Sequence, residues 1–241
     1  MLLKTESIVL KTIKHRETSV ISNFLTREEG NLTVFANGVR KLKSNLPASL
    51  FQPPVLVDAV LYFRANKDMH RVKELKTSFP FYNIFTHFQK MATAQFLTEL
   101  TLKSNREKGP NPSLFDFVKE SLIELEKTDP LPGLFPLFFM IKLTGHIGIA
   151  PDLRIDKSGY LDMREGVVKP DQPEHPHFMD QKNTRVLTSL FHSTAEDLNH
   201  LKVDNDQKRQ LLKQLSDYFL IHIDGMKSLQ SPEILKAILT K

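Results

Sequence analysis

The sequence of 241 residues contains no cysteine and no tryptophan. Without thiols it can form neither a disulfide nor a zinc site built on thiolates, and it suits a reducing compartment. A long hydrophobic run is also missing. The most apolar stretch, Leu134 to Leu143, is interrupted by Pro136 and Lys142 and falls far short of the roughly 20 residues that cross a bilayer. It reads as a buried helix, and no membrane association is expected. The start, MLLKTESIVLK, places Lys4 and Glu6 where a signal peptide needs apolar residues, so no export is expected either. There is no phosphate-binding Gly-rich loop ending in Lys-Ser/Thr, no dinucleotide fingerprint, no His-Glu-x-x-His and no Gly-x-Ser-x-Gly elbow. These absences leave an enzyme, or a dedicated cofactor, without support.

One further absence is local. No acidic residue occurs between Glu29 and Asp58, and Arg40, Lys41 and Lys43 lie inside that gap, just after Asn37-Gly38. Three cations on one loop without neutralisation suit contact with phosphates, although a solvated loop that is merely basic is the alternative. The charge is also uneven along the chain. The formal net charge is +5, yet residues 1–80 carry 13 Lys and Arg against 7 Asp and Glu, while the remainder carries 20 against 21. A basic first third points to a polyanion as its partner.

Period-two alternation marks strands over Leu3–Ile13, Ser19–Thr26, Leu32–Ala36, Val55–Phe63 and Met69–Thr77. The near-continuous apolar run of the fourth suggests burial on both of its faces. Five short strands with the longest connection, residues 37–54, between the third and fourth fit a closed oligonucleotide-binding (OB) barrel; an SH3-like barrel fits the count as well.

Past Phe79-Pro80 the period becomes 3.6. One helix is expected through Phe85, Phe88, Ala92, Phe96 and Leu100, with the aromatic stripe Phe85, Phe88 and Phe96 in the core. Asn111 and Pro112 start a second helix. Leu134–Ile147 forms a third, and later helices cover Gln181–Phe191, about Asp204–Ile223 and a short segment from Ser231-Pro232. The Gly- and Pro-rich stretch at about 149–180 reads as a small insertion, with a hairpin over Tyr160–Met163 and Val167–Lys169. The expected class is thus α+β: an OB domain over residues 1–80, then a helical domain over 81–241 that carries the insertion.

Other candidate sites read as structure. His175 and His177 have no third ligand nearby and are taken as solvated loop residues. Asp156–Asp162 lacks the carboxylates of a calcium loop and is taken as a turn. His222 lies on an apolar helical stripe and is taken as a satisfied, partly buried residue. Phe35, Phe51 and Tyr62 could stack on bases or be buried, and the sequence leaves both open.

Several segments, in order, resemble the RecO family of bacterial recombination mediators and DNA repair proteins. They are Thr5 to Lys11, Phe24 to Glu28 with Gly30, Gly38 to Lys41, Gly148 to Leu153, and Tyr218 to His222 followed by Lys227-Ser228. The resemblance implies an OB domain, a helical bundle, and an insertion that in many members holds zinc through four cysteines; this chain has none. It also implies a cytoplasmic, nucleoid-associated protein that binds single- and double-stranded DNA, anneals complementary strands and, with RecR, loads RecA onto DNA coated by single-strand-binding protein. Arg40, Lys41 and Lys43 match the family's basic loop by position. Lys11, Lys14, Arg16 and Arg27 would extend the patch if the barrel sets them on one side. The competing expectation is an interaction adaptor whose basic barrel docks an acidic peptide or RNA.

Overall fold

The computed structural model describes residues 1–41, 44–107, 109–154, 158–232 and 235. Its first five strands are β1 (Leu2–His15), β2 (Ser19–Thr26), β3 (Gly30–Ala36), β4 (Leu56–Tyr62) and β5 (Met69–Phe79), closed into a barrel in the order β1-β2-β3-β5-β4. Neighbours are antiparallel except at the seam, where β3 and β5 run parallel from Thr33↔Met69 to Phe35↔Arg71. This is the OB barrel. Val9, Phe24, Val34, Val57, Leu61 and Val72 fill the interior, joined by Val39 and by Phe51 from the short 3-10 helix Ala48–Phe51.

A bulge re-aims β1. Leu10 is the extra residue between the pairs Val9↔Phe24 and Lys11↔Asn23, so Ile8, Val9 and Leu10 are all buried before Lys11 and Ile13 emerge into solvent. Simple alternation would keep Val9 on the same side as Lys11 and Ile13. The fourth strand also departs from expectation. Two-sided burial holds for Leu56 and Val57, but Asp58 and Tyr62 are exposed, because the outer face at that end of the barrel is not covered.

The first compact unit, Met1–Thr128, adds three helices to the barrel: α1 (Asn83–Thr86), α2 (Phe88–Ser104) and α3 (Pro112–Lys127). His87 is extended (φ −108°, ψ 116°) and breaks the single helix expected here. The break changes the helical phase, so Phe96 is buried, Phe85 is half-buried and Phe88 is 63% exposed, which removes Phe88 from the core. Asn111 caps α3 by accepting from the Leu114 N–H at 2.9 Å, with Pro112 at the first position.

Ion pairs fasten α3 to the barrel: Lys119 to Glu6 at 2.8 Å and Arg27 to Asp116 at 2.8 Å. Gly30 (φ +68°) lies so close to the loop after α2 that a Cβ there would sit 1.9 Å from the Gly109 carbonyl oxygen. The periodicity changes at Phe79-Pro80, whereas compactness divides the chain after Thr128.

The second unit begins at Asp129 and holds α4 (Phe135–His146), β6 (Tyr160–Asp162), β7 (Val167–Lys169), β8 (Phe178–Met179), α5 (Gln181–His192) and α6 (Asn205–His222). Leu137, Phe139, Met140, Ile141 and Leu143 make α4 a buried helix. The insertion is a three-stranded sheet, β7-β6-β8, in which the expected hairpin gains a third strand. Helix α6 clamps it: the Tyr218 hydroxyl donates to the Ile149 carbonyl at 2.8 Å, and His222 Nε2 lies 2.7 Å from the Met163 carbonyl oxygen. Burial pushes the Tyr218 phenol up to about 12. Two of the segments that carried the family resemblance, around Gly148 and Tyr218, are thus partners in packing. Most of the helix expected from Ser231 lies outside the described residues.

Candidate nucleic-acid interface

The basic loop begins at the end of β3, where Asn37 accepts from the Ser19 hydroxyl at 2.8 Å and Gly38 takes a positive φ of 69°. Val39 then turns inward and is 2% exposed. Arg40 and Lys41, which follow this apolar anchor directly, are exposed. The Lys41 N–H donates to the Gly38 carbonyl at 3.1 Å, which tightens the turn. Lys43 lies outside the described residues.

A second loop meets the first. Between β1 and β2, Arg16 adopts a left-handed φ of 53°, and the Glu17 carbonyl accepts from Arg40 Nη1 at 3.1 Å while the Thr18 carbonyl accepts from the Arg40 N–H at 3.4 Å. Lys14, Arg16, Arg40 and Lys41 therefore form one exposed basic edge, and none of the four is ion-paired among the described residues. Lys11 is exposed on β1, beyond Ile13 along the same strand.

Arg27 does not join this edge. Its guanidinium holds Asp116 of α3 through Nε at 3.1 Å and Nη2 at 2.8 Å. These hydrogen bonds raise the Arg27 pKa and lower that of Asp116. The pair is half exposed and adds little stability, but it engages the cation elsewhere.

The register reveals a row that the sequence reading missed. Across the barrel, Ile13 pairs with Ile21, Ile21 with Phe35, Phe35 with Arg71, Arg71 with Tyr62, and Tyr62 with Leu2. All six are exposed or partly exposed, so the outer face carries a band of apolar and aromatic side chains interrupted by a cation. His15 meets Phe35 edge-on, with ring centroids 5.7 Å apart. Of the aromatics left open by the sequence, Phe51 is core, Phe35 is half-buried on this band, and Tyr62 is 49% exposed. The cations Arg64, Lys67 and Lys73 border the band. The alternation Met69, Arg71, Lys73 is legible in the sequence, but its position beside Tyr62 follows only from strand pairing.

The other polar centre is Asp162 in the small sheet, 1% exposed. Lys169 Nζ donates to it at 2.8 Å, the Arg164 and Glu165 N–H groups at 2.9 and 3.2 Å, and His175 Nε2 lies 3.2 Å away. Burial opposes its ionisation, but the hydrogen bonds from Lys169, Glu165 and Arg164 outweigh that and hold its carboxyl at about 2. His175 is thus half-buried against a carboxylate, not the solvated loop residue expected. A Lys ammonium within the cluster does not fit the Cys, His and carboxylate donor set that zinc takes. No group of three or more His, Cys, Asp or Glu among the described residues could hold a metal, and Asp156 lies outside them.

The profile described as Recombination protein O N terminal matches residues 1–81, and Recombination protein O C terminal matches residues 86–230. Relatives named DNA repair protein RecO include those of Azobacteroides pseudotrichonymphae, 27% identical over 239 residues, Bacteroides fragilis, 27% over 240, and Flavobacterium johnsoniae, 29% over 246. Each alignment covers 99% of both chains. With both profiles matched in order and full-length relatives aligned throughout, this chain belongs to the RecO family.

Proposed function

We propose that this protein acts in DNA repair as a non-enzymatic DNA-binding mediator, with the OB domain at residues 1–80 as its DNA-binding part. The basic edge of Lys14, Arg16, Arg40 and Lys41, with Lys11 and Lys43, engages the phosphates of single- and double-stranded DNA, and counterion release drives the binding. Cations held between two backbones lower their repulsion, so complementary strands anneal without any catalytic residue. With RecR, the protein helps to load RecA onto DNA coated by single-strand-binding protein. The helical part, 81–241 with its insertion at about 149–180, serves partner contacts, and the protein works in the cytoplasm at the nucleoid. The repair role rests on family membership. No helix among the described residues is long and apolar enough to cross a membrane.

The observation that carries the DNA-binding reading is that two separate loops and the end of β1 bring four exposed cations to one edge, with no ion pair to them among the described residues. Fluorescence anisotropy with a labelled oligonucleotide at low salt tests it, and binding that weakens steeply with salt is expected. Failure to bind at low salt, with capture of an acidic peptide or RNA instead, would establish the adaptor reading.

A further inference from the structure

Two grooves lie side by side on the outer face of the barrel and share Tyr62 and Arg71. One, of about 320 Å³, runs from Gly38 and Lys41 to Lys73. The other, of about 660 Å³, continues past Tyr62 and Arg71 over Met69 to Arg64 and Lys67. Among the described residues that line them, five carry cationic side chains and none is acidic. Among the described residues Arg64, Lys67 and Arg71 have no ion pair, and Glu74, the nearest carboxylate along β5, is taken by Lys73 at 3.2 Å.

Between the grooves stands Tyr62, with Leu2 on one side and Arg71 on the other in the strand register. It is 49% exposed. An aromatic ring presented between two lines of cations has the layout of a platform for a base whose flanking phosphates are held on each side. A duplex keeps its bases stacked on one another and offers no free face to such a ring.

We propose that Tyr62 is the stacking residue of a single-strand subsite, and that an unpaired strand passes from the Arg40–Lys41 loop across Tyr62 to Arg64 and Lys67. This inference rests on the DNA-binding reading above and adds to it the class of nucleic acid for which this part of the face is built. The phosphate edge accepts any backbone, whereas Tyr62 rewards only an exposed base. The protein therefore distinguishes single strands from duplexes at Tyr62.

The test compares affinity for a labelled single strand and for the matching duplex in the full-length protein and in Tyr62→Leu, Tyr62→Ala and Tyr62→Phe variants. Tyr62→Leu retains an apolar, strand-compatible side chain, so it keeps the test open should Tyr62→Ala unfold. Loss of the ring should weaken single-strand binding about tenfold and leave duplex binding unchanged, with Tyr62→Phe close to the parent. A 2-aminopurine base in the strand should be quenched by the parent and by Tyr62→Phe, but not by folded Tyr62→Leu. Equal losses for strand and duplex, or no loss for either, would overturn the subsite while leaving DNA binding intact. So would an acidic peptide that binds with the same dependence on Tyr62. Absence of DNA binding by the parent would remove both this inference and the reading beneath it.

Discussion

At the scale of single residues, the small sheet depends on the charge of Asp162. A carboxyl held at about 2 in the folded chain, against an ordinary value of 3.8, binds fewer protons folded than unfolded over that interval. Its contribution is therefore complete above about pH 4 and is lost as the pH falls from 3.8 through 2. The shift corresponds to about 2 kcal/mol, reduced by screening because Lys169 is partly open to water. Asp162→Asn should lower stability near neutrality by about this amount and flatten the acid limb of the unfolding profile below pH 4. Denaturant unfolding followed at several pH values measures both effects. An acid limb identical to that of the parent would show that the charge at Asp162 carries no stability.

At the scale of elements, Glu126 near the end of α3 serves as the cap that α1 lacks. Its carboxylate accepts the N–H groups of Tyr82, Asn83 and Ile84 at 2.9, 2.8 and 2.9 Å, while Lys90 Nζ donates to its backbone carbonyl at 2.9 Å. Burial opposes ionisation here too, but the three backbone donors outweigh it and lower the pKa. Glu126→Gln turns one acceptor oxygen into a donor and removes a buried charge beside Lys90. We expect a loss of about 2 kcal/mol, read as a lower denaturation midpoint with an unchanged slope.

The two basic loops form the other element that can be tested. Replacing Arg16, Arg40 and Lys41 together by Ala should weaken DNA binding at all sequences, because phosphate contacts carry no base information. If each meets one phosphate of a single strand, the salt dependence of log affinity becomes shallower by about 2. Circular dichroism should not change, since exposed loop positions cost little. An unaltered salt slope in this folded variant would move the phosphate path away from the edge.

At the scale of the whole molecule, a chain without cysteine holds its small sheet by hydrogen bonds and packing. Asp162, Lys169 and His175 tie the sheet internally, and Tyr218 and His222 tie it to α6. Melting with and without a strong chelator should give the same transition temperature. Stoichiometric zinc on elemental analysis, with a large drop in the chelator, would contradict this.

Local chemistry made much of the molecule legible from its sequence. Strand alternation, the change of period at Phe79-Pro80, the Asn111-Pro112 helix start and the Arg40–Lys41 loop are all written within a few consecutive residues, where neighbours in the chain are neighbours in space. Tertiary structure decided the rest. The bulge at Leu10 chose which way Lys11 points, and α3 drew Arg27 away from the basic edge through Asp116, 89 residues along the chain. The pairing of β4 with β5 set Tyr62 beside Arg71, and chain reversals gathered Lys169 and His175 around Asp162. Each of these depends on strand register or on which distant element covers a face, and a one-residue shift in register would send every side chain of a strand to its opposite side. The cations themselves are a property of the sequence; their assembly with an aromatic ring on one open face is a property of the closed barrel.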